Sequence, residues 1–454
     1  MSVPAPLPPI NAAPVSAAKR LAYVLRHFRL VYPNAPDVAI GYADSQPAIT
    51  VTDGAGTFFQ QNTPYPAEPN YRDWAGQRIP FFFDHQAEAP LLTLSAGRAA
   101  INADIISAAF YLLSGWQEYF LDTRDRHGRF PYAASVQKQY GFVALPVVNY
   151  YFDVLKTAVE HVSGQRLQTR RWAGAAPFAA FITHDIDNLR SGWKAPAKAA
   201  LKQGQLLRFG QQLWRHLTQP DAWDNLETVA DTVASYGARS TFFMLLERRP
   251  GVDGTPNADY AITPALRQRL QLLKQQGSEI CLHGSIGTAA DVAHLGREVK
   301  ILQPDTQGLR FHYLRWEPRS TPNLIDAAEC FRYDSTLGFA EHFGFRNSYC
   351  HPFFPFNFAT GEAHTFLEIP LNVMDATLHH PNYLQLQPQD IMPALQPMLA
   401  EVERFVGVAT VLWHNDHFDP ANTVTGPRQF AEIMGYLRPR GAAFLTGSQI
   451  MAEL

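Results

Sequence analysis

Two α/β domains, a smaller mixed one followed by a parallel sheet or barrel, are what this 454-residue sequence predicts. Three observations lead there. The length matches two or three domains at ~100–200 residues each. From about residue 176, short apolar runs alternate with stretches of helical periodicity, the pattern of a parallel sheet with crossover helices. Between the halves lies 163–176 (SGQRLQTRRWAGAA), which is polar, rich in small residues and without a period. It divides the chain into a tail at 1–17, an N-terminal α/β domain at 18–175 and a second domain at 176–454.

Composition narrows the function classes. With 46% hydrophobic and only 17% charged residues, the chain has the apolar mass that disordered proteins lack. The 38 Lys and Arg against 41 Asp and Glu give a net charge of −3, so the basic footprint that nucleic acid requires is missing. No run of ~18 apolar residues occurs, and no transmembrane helix is predicted. Residues 1–17 are rich in Pro and Ala and lack the charged and apolar regions of a secretory signal, so they read as a flexible tail. Three scattered cysteines (Cys281, Cys330, Cys350) make no disulfide framework or metal knuckle. They fit a reducing compartment, and a cytoplasmic location is expected.

In chain order, 18–32, 103–120 and 147–162 carry apolar residues at helical spacing, and 37–42, 48–52 and 80–83 are strand-like. In the second half FAAFI (178–182) reads as a buried parallel strand. Further strands are expected at 240–245, 279–283, 309–314, 366–370 and 409–413, with a helix at 264–275. The basic stretch 195–217 predicts one amphipathic helix. It has the makings of a membrane-surface helix, but covering the core is the commoner use of such a pattern.

Ionisable residues gather where these strands end, and in parallel α/β folds chemistry sits at the carboxyl ends of strands. Thr183-His184-Asp185-Ile186-Asp187 follows FAAFI. Its two carboxylates are two residues apart and share one face of an extended chain. EICLH delivers His283. Arg310 and His312 share a face of RFHYL. VLWH delivers His414. Each cluster has an ordinary structural use, such as a helix cap or a packed imidazole. Four strand ends of this kind point to one shared site, and His, His and Asp are a ligand set for a catalytic zinc with an open position.

These pieces resemble the NodB-type polysaccharide deacetylases, a family of metal-dependent carbohydrate esterases. THDID (183–187) stands where that family has T-F-D-D-G, and RSTFF (239–243) where it has A-T-F-F. EICLHGSIG stands where a strand enters H-S/T-x-x-H, RFHYLRWEP (310–318) at the Arg motif, and LWH (412–414) at the final L-x-H. Order and spacing agree over 176–416. YDSTLGFAEHFGFRNSYCHPF (333–353) and EIPLNVMDATL are most similar to a divergent bacterial branch that also carries an N-terminal domain of unknown function. The resemblance implies a distorted (β/α)7-type barrel, a divalent metal, most simply Zn2+, and hydrolysis of a carbon–nitrogen bond: de-N-acetylation of an amino sugar, saccharide or glycan precursor.

Residue by residue, the resemblance makes Asp185 the base, His414 the general acid, and Arg310 or Arg315 the cation that keeps Asp185 ionised. Two departures matter. Ile186 separates the two Asp residues, so Asp187 becomes the metal ligand beside His283. Gly287 occupies the position of the family's second His, and His312 is the expected substitute. Arg315, Trp316, Asp334, Arg346, Asp375 and Trp413 are expected around the substrate; Asp334 and Asp375 alternatively orient His414 or serve as caps, and core packing is the commoner use of Trp316 and Trp413. The Phe-rich loop 341–358 is expected to line the groove or to plug one end of the barrel. Two other readings compete: a barrel that binds carbohydrate or acts as a scaffold without turnover, and an amidohydrolase acting on a non-sugar amide.

Overall fold

The computed structural model describes residues 7–303 and 305–454. Residues 1–6 of the expected tail lie outside the described residues. Residues 7–15 run along the folded body: Tyr119 donates to Asn11 O (2.6 Å), and Ala13 N donates to Phe358 O (2.8 Å).

In the N-terminal half a four-stranded sheet is ordered Ile40–Tyr42, Ile49–Val51, Arg98–Ile101, Leu92–Ser95, with only the last pairing antiparallel. Helices Ala17–Val31, Ile105–Leu113 and Val147–Ser163 bury their apolar faces with it in one core. The single helix expected over 103–120 is two. Asp104 caps the first by accepting from Ser107 N, and Gly115 at φ +69° breaks the chain before Trp116–Phe120, a conformation that glycine adopts at little cost. The strand expected at 80–83 is the second half of a hairpin, Asn70–Trp74 with Gln77–Phe81, turned at Ala75-Gly76, both at positive φ.

In the C-terminal half the strands are parallel and curl into a ring. Strand Ala179–Ile186 pairs with Ser240–Leu245, that with Glu279–Gly284, then Gly308–Phe311 and Tyr333–Asp334. On its other side Ala179–Ile186 pairs with Val408–Leu412. One extended segment closes the circle. Leu367–Glu368 pairs with Tyr333–Asp334, and Val373–Met374, five residues on, pairs with Val411 and Leu412. The result is a seven-membered distorted (β/α) barrel. Ala443–Phe444 adds a short strand beside Ala179 and Ala180, below the point where Ser240 takes over the pairing.

Side-chain alternation sorts the barrel interior. Ala179 and Phe181 join Phe243, Cys281, Tyr333 and Leu367 in one buried cluster, while Ala180, Ile182 and Ile186 join the larger core under the helices. The inward positions of the first strand then continue as Thr183 and Asp185, so the barrel's filling turns from apolar to polar toward the carboxyl ends. That change of character positions the site.

Candidate metal and catalytic site

Period-two geometry carries Asp185 and Asp187 to the same mouth of the barrel, as the strand pattern predicts. The strand expected at 309–314 stops at Phe311. Tyr313 and Leu314 follow at φ +60° and +52°, a left-handed pair that non-glycine residues adopt at a cost of order 1–3 kcal/mol each and that tends to occur at functional sites. The turn brings His312 back over the end of the neighbouring strand, onto His283.

Three ligand atoms meet there. His283 Nε2 lies 3.1 Å from His312 Nδ1, and each is 3.5 Å from Asp187 Oδ1. The outer nitrogens settle the tautomers. His283 Nδ1 faces Arg310 O at 2.8 Å and His312 Nε2 faces Pro256 O at 3.2 Å. A carbonyl only accepts, so each of these nitrogens carries the proton of a neutral imidazole. Two lone pairs therefore face each other, and Asp187 Oδ1 is buried without a hydrogen-bond donor. Burial holds both imidazoles neutral, pushing His283 down to about 4 and His312 to about 3, and it raises Asp187 to about 6 against the pull of the charged His414. Such an arrangement repels itself unless a cation fills it. Edges of 3.1, 3.5 and 3.5 Å match the ~3.3–3.4 Å edges of a tetrahedron with ~2.0–2.1 Å bonds, the geometry of zinc. The residues fit a divalent ion.

Asp185 lies beside this triad, its Oδ2 3.5 Å from His283 Nε2. Burial opposes its ionisation, yet the cations around it, His283 when protonated, then Arg310 and His414, hold it below the usual carboxylate range. Arg310 is wholly enclosed. It donates to Asp185 Oδ1 (2.9 Å), Thr183 Oγ1 (2.9 Å), Ser335 O (2.7 Å) and Ser335 Oγ (2.9 Å), and lies 4.4 Å from the centre of the Phe243 ring. A charge this deep is tolerated when paired and hydrogen-bonded, and here four bonds, one of them to a carboxylate, hold it.

Across the cleft, His414 Nε2 stands 3.9 Å from Asp187 Oδ2. Its Nδ1 donates to Asp375 Oδ1 at 2.8 Å, and its backbone N–H bonds Asp375 Oδ2 at 2.5 Å. Burial disfavours the imidazolium, but Asp375 overcomes it and His414 titrates well above an ordinary histidine. Asp375 itself is held far below its usual value despite burial, by His414 and His417. A depressed carboxyl and an elevated imidazole thus flank one site.

The cleft above these groups encloses about 320 Å³. Beyond the ionisable groups, Tyr313, Tyr383, His380 and, from the N-terminal half, Arg126, His127 and Arg129 line it. None of these was singled out from the sequence; the basic run RDRHGR (124–129) was the available signal.

Other expected substrate contacts lie elsewhere. Trp413 is fully buried and packs on Phe430, so it has no face for a ring to stack on. Trp316 is buried against Phe366. Asp334 is buried and accepts from Thr336 N and Oγ1. Arg346 forms a buried ion pair with Glu118. Arg315 is tied to Asp253 and does not line the cleft. Asp375 reaches His414 rather than the open cleft. The 341–358 loop is not a groove wall: Phe345, Tyr349, Phe353, Phe356 and Phe358 are buried, and Phe356 and Phe358 meet Phe110, Trp116 and Tyr119 of the N-terminal half.

Comparison with known proteins adds the following. Residues 19–163 match the model of a family of unknown function, DUF7033. No curated protein matches the chain. Among solved structures, a Mycobacterium smegmatis protein described as a polysaccharide deacetylase is similar over 62% of this chain and 91% of its own, at 16% identity and TM-score 0.39. A Pseudomonas aeruginosa PAO1 protein described as a polysaccharide deacetylase is similar over 64% and 95%, at 12% identity and TM-score 0.41. The allantoinase PuuE covers 62% and 91%, at 14% and 0.39. The barrel half resembles the NodB-type polysaccharide deacetylases. That resemblance rests on the motifs at the strand ends and on the seven-membered ring that carries them. No helix among the described residues is long and apolar enough to cross a membrane.

Proposed function

We propose that the barrel is a metal-dependent hydrolase, zinc suiting its donors best, that removes an N-acetyl group from an amino sugar or saccharide precursor. The observation that carries this reading is the convergence of Asp187, His283 and His312, with two imidazole lone pairs aimed at one point. Gly287 is no gap in that set: at φ +101° it holds a turn, and His312 supplies the third donor.

A divalent ion bound by these three would act as a Lewis acid, polarising the amide carbonyl and acidifying a water molecule. Asp185, kept ionised by Arg310, accepts the proton of the attacking water. Oxygen joins the carbonyl carbon, and the carbon–nitrogen bond breaks. His414, charged and oriented by Asp375, gives its proton to the departing nitrogen, so that acetate and a free amine leave. Tyr313, Tyr383, His127 and His380 give the cleft the mixed aromatic and hydrogen-bonding lining that a sugar ring uses. Three free cysteines support a reducing, cytoplasmic setting and hence a small, nucleotide-linked or lipid-linked substrate.

The test is metal analysis of the purified protein, followed by a panel of N-acetylated sugars and simple amides. Close to one zinc per chain, with acetate released from a sugar, is the expected result. Protein that neither binds nor responds to zinc or cobalt overturns the reading. Turnover of simple amides alone would move it to a non-sugar amidohydrolase.

A further inference from the structure

The stretch expected as one core-covering helix is a hairpin of two, Lys194–Lys202 and Leu206–Thr218, turned at Gly204 (φ +69°). The second helix buries none of its 13 residues. At ~100° per residue, Leu206, Leu207, Gly210, Trp214 and Leu217 fall within one ~100° arc. The four large side chains of that arc are 68%, 87%, 68% and 71% exposed. The half-buried positions, Phe209, Gln212 and His216, lie on another side, where His216 stacks on Trp193 at 4.5 Å. The apolar face therefore points away from the protein, the reverse of an ordinary surface helix.

Charge marks the same element. Lys194, Lys198, Lys202, Arg208 and Arg215 lie between 194 and 218 without one Asp or Glu, in a chain whose net charge is −3. Among the described residues the Arg208 side chain bonds only that of Gln205, and none of the five pairs with a carboxylate. The hairpin leaves the barrel just after Asp187. At its base the Asp221 carboxylate accepts from Gly192 N (2.9 Å), Trp193 N (3.4 Å) and Trp223 N (3.0 Å). It thus stands at the end of the barrel on which the cleft opens.

We propose that this hairpin docks the protein on an anionic lipid surface. Leu206, Leu207, Trp214 and Leu217 enter the boundary between headgroups and acyl chains, and the five cations face lipid phosphates. A second copy of this chain is the poorer occupant: a two-fold interface sets each patch against itself, bringing the same cations together. The inference is independent of the catalytic reading.

Vesicle co-sedimentation of the full-length protein tests it. Binding is expected to phosphatidylcholine vesicles containing about 30% phosphatidylglycerol, not to phosphatidylcholine alone, and to weaken at least about tenfold in about 0.5 M salt. The Leu207→Glu/Trp214→Glu/Leu217→Glu variant replaces no core residue, so it should keep its melting curve while binding falls at least about tenfold. Should that variant misfold, the blue shift of tryptophan emission on adding vesicles, present in the native protein and diminished in Trp214→Phe, decides instead. Wild-type binding no stronger than the triple variant's overturns the proposal. So does a dimer in solution that the triple variant dissolves while vesicles have no effect.

Discussion

At the scale of single residues, the site divides its labour by environment. Asp185 and Asp187 are two residues apart, yet one is held ionised by Arg310 and the other is left with a bare buried oxygen facing two imidazoles. The same logic gives two measurable shifts. Asp375 stabilises the charged form of His414, so Asp375→Asn lowers the His414 pKa. The alkaline limb of the kcat/KM profile should then move to lower pH, with a loss of ~10²–10⁴ in rate where His414 acts as acid. An unmoved alkaline limb would remove His414 from that role. Arg310→Gln takes away the cation that opposes burial at Asp185, so the Asp185 pKa rises and the acidic limb moves to higher pH. That variant also breaks a fully enclosed ion pair and should lose ~3–5 kcal/mol in urea unfolding. The sequence made the members of this site legible because each sits at a strand end. The indoles follow the commoner use of such residues: Trp413 and Trp316 are adjacent to expected site residues in sequence, and packing sends both into the core.

At the scale of elements, strands were the more readable half of the pattern. STFFML and EICLH lie within one residue of the observed 240–245 and 279–284 strands, because a fully buried parallel strand is apolar on both faces. Helix ends depended on single backbone conformations. Gly115 and Gly204 split two expected helices, and periodicity alone does not see a left-handed residue. The closing segment 367–374 was half read, as a strand at 366–370, since it pairs with two different neighbours in succession. Within it Glu368 stands opposite Asp334, both fully buried, and Glu368 Oε2 has no donor facing it. A retained proton supplies that bond. Burial raises Asp334 to about 6 and, with Asp334 beside it, raises Glu368 further. Carboxyls raised on folding cost nothing while protonated, below their ordinary range near pH 4, and stability is lost as pH climbs through the raised values. Glu368→Gln should therefore gain thermal stability over wild type at pH 8 and little at pH 4, measured as Tm across that interval. Equal effects at both pH values would refute the shared proton.

At the scale of the whole molecule, the N-terminal half is part of the site's architecture. It lends Arg126, His127 and Arg129 to the cleft, and it covers the Phe-rich 341–358 loop, whose motif has high sequence specificity but carries no reacting group. The loop's composition reads as an interface once Phe356 and Phe358 are seen against Phe110, Trp116 and Tyr119. Nothing in a single sequence says which of two apolar surfaces will meet. A buried ion pair joins the halves there: Arg346 donates twice to Glu118, at 2.8 and 2.6 Å, and once to Gly338 O at 3.0 Å. Arg124 adds a second link, through two bonds to Glu317. Glu118→Ala leaves a guanidinium buried without its counter-charge, and the expected loss is ~3–5 kcal/mol. Removing both charges in Glu118→Met/Arg346→Met should recover much of it, because an apolar pair of similar volume avoids the desolvation cost. The double-mutant cycle, read by urea unfolding, isolates the coupling. Strong coupling with a single unfolding transition means that the two halves fold as one cooperative body. A Glu118→Ala variant within about 1 kcal/mol of wild type would mean that the apolar contacts alone hold the barrel to its N-terminal partner.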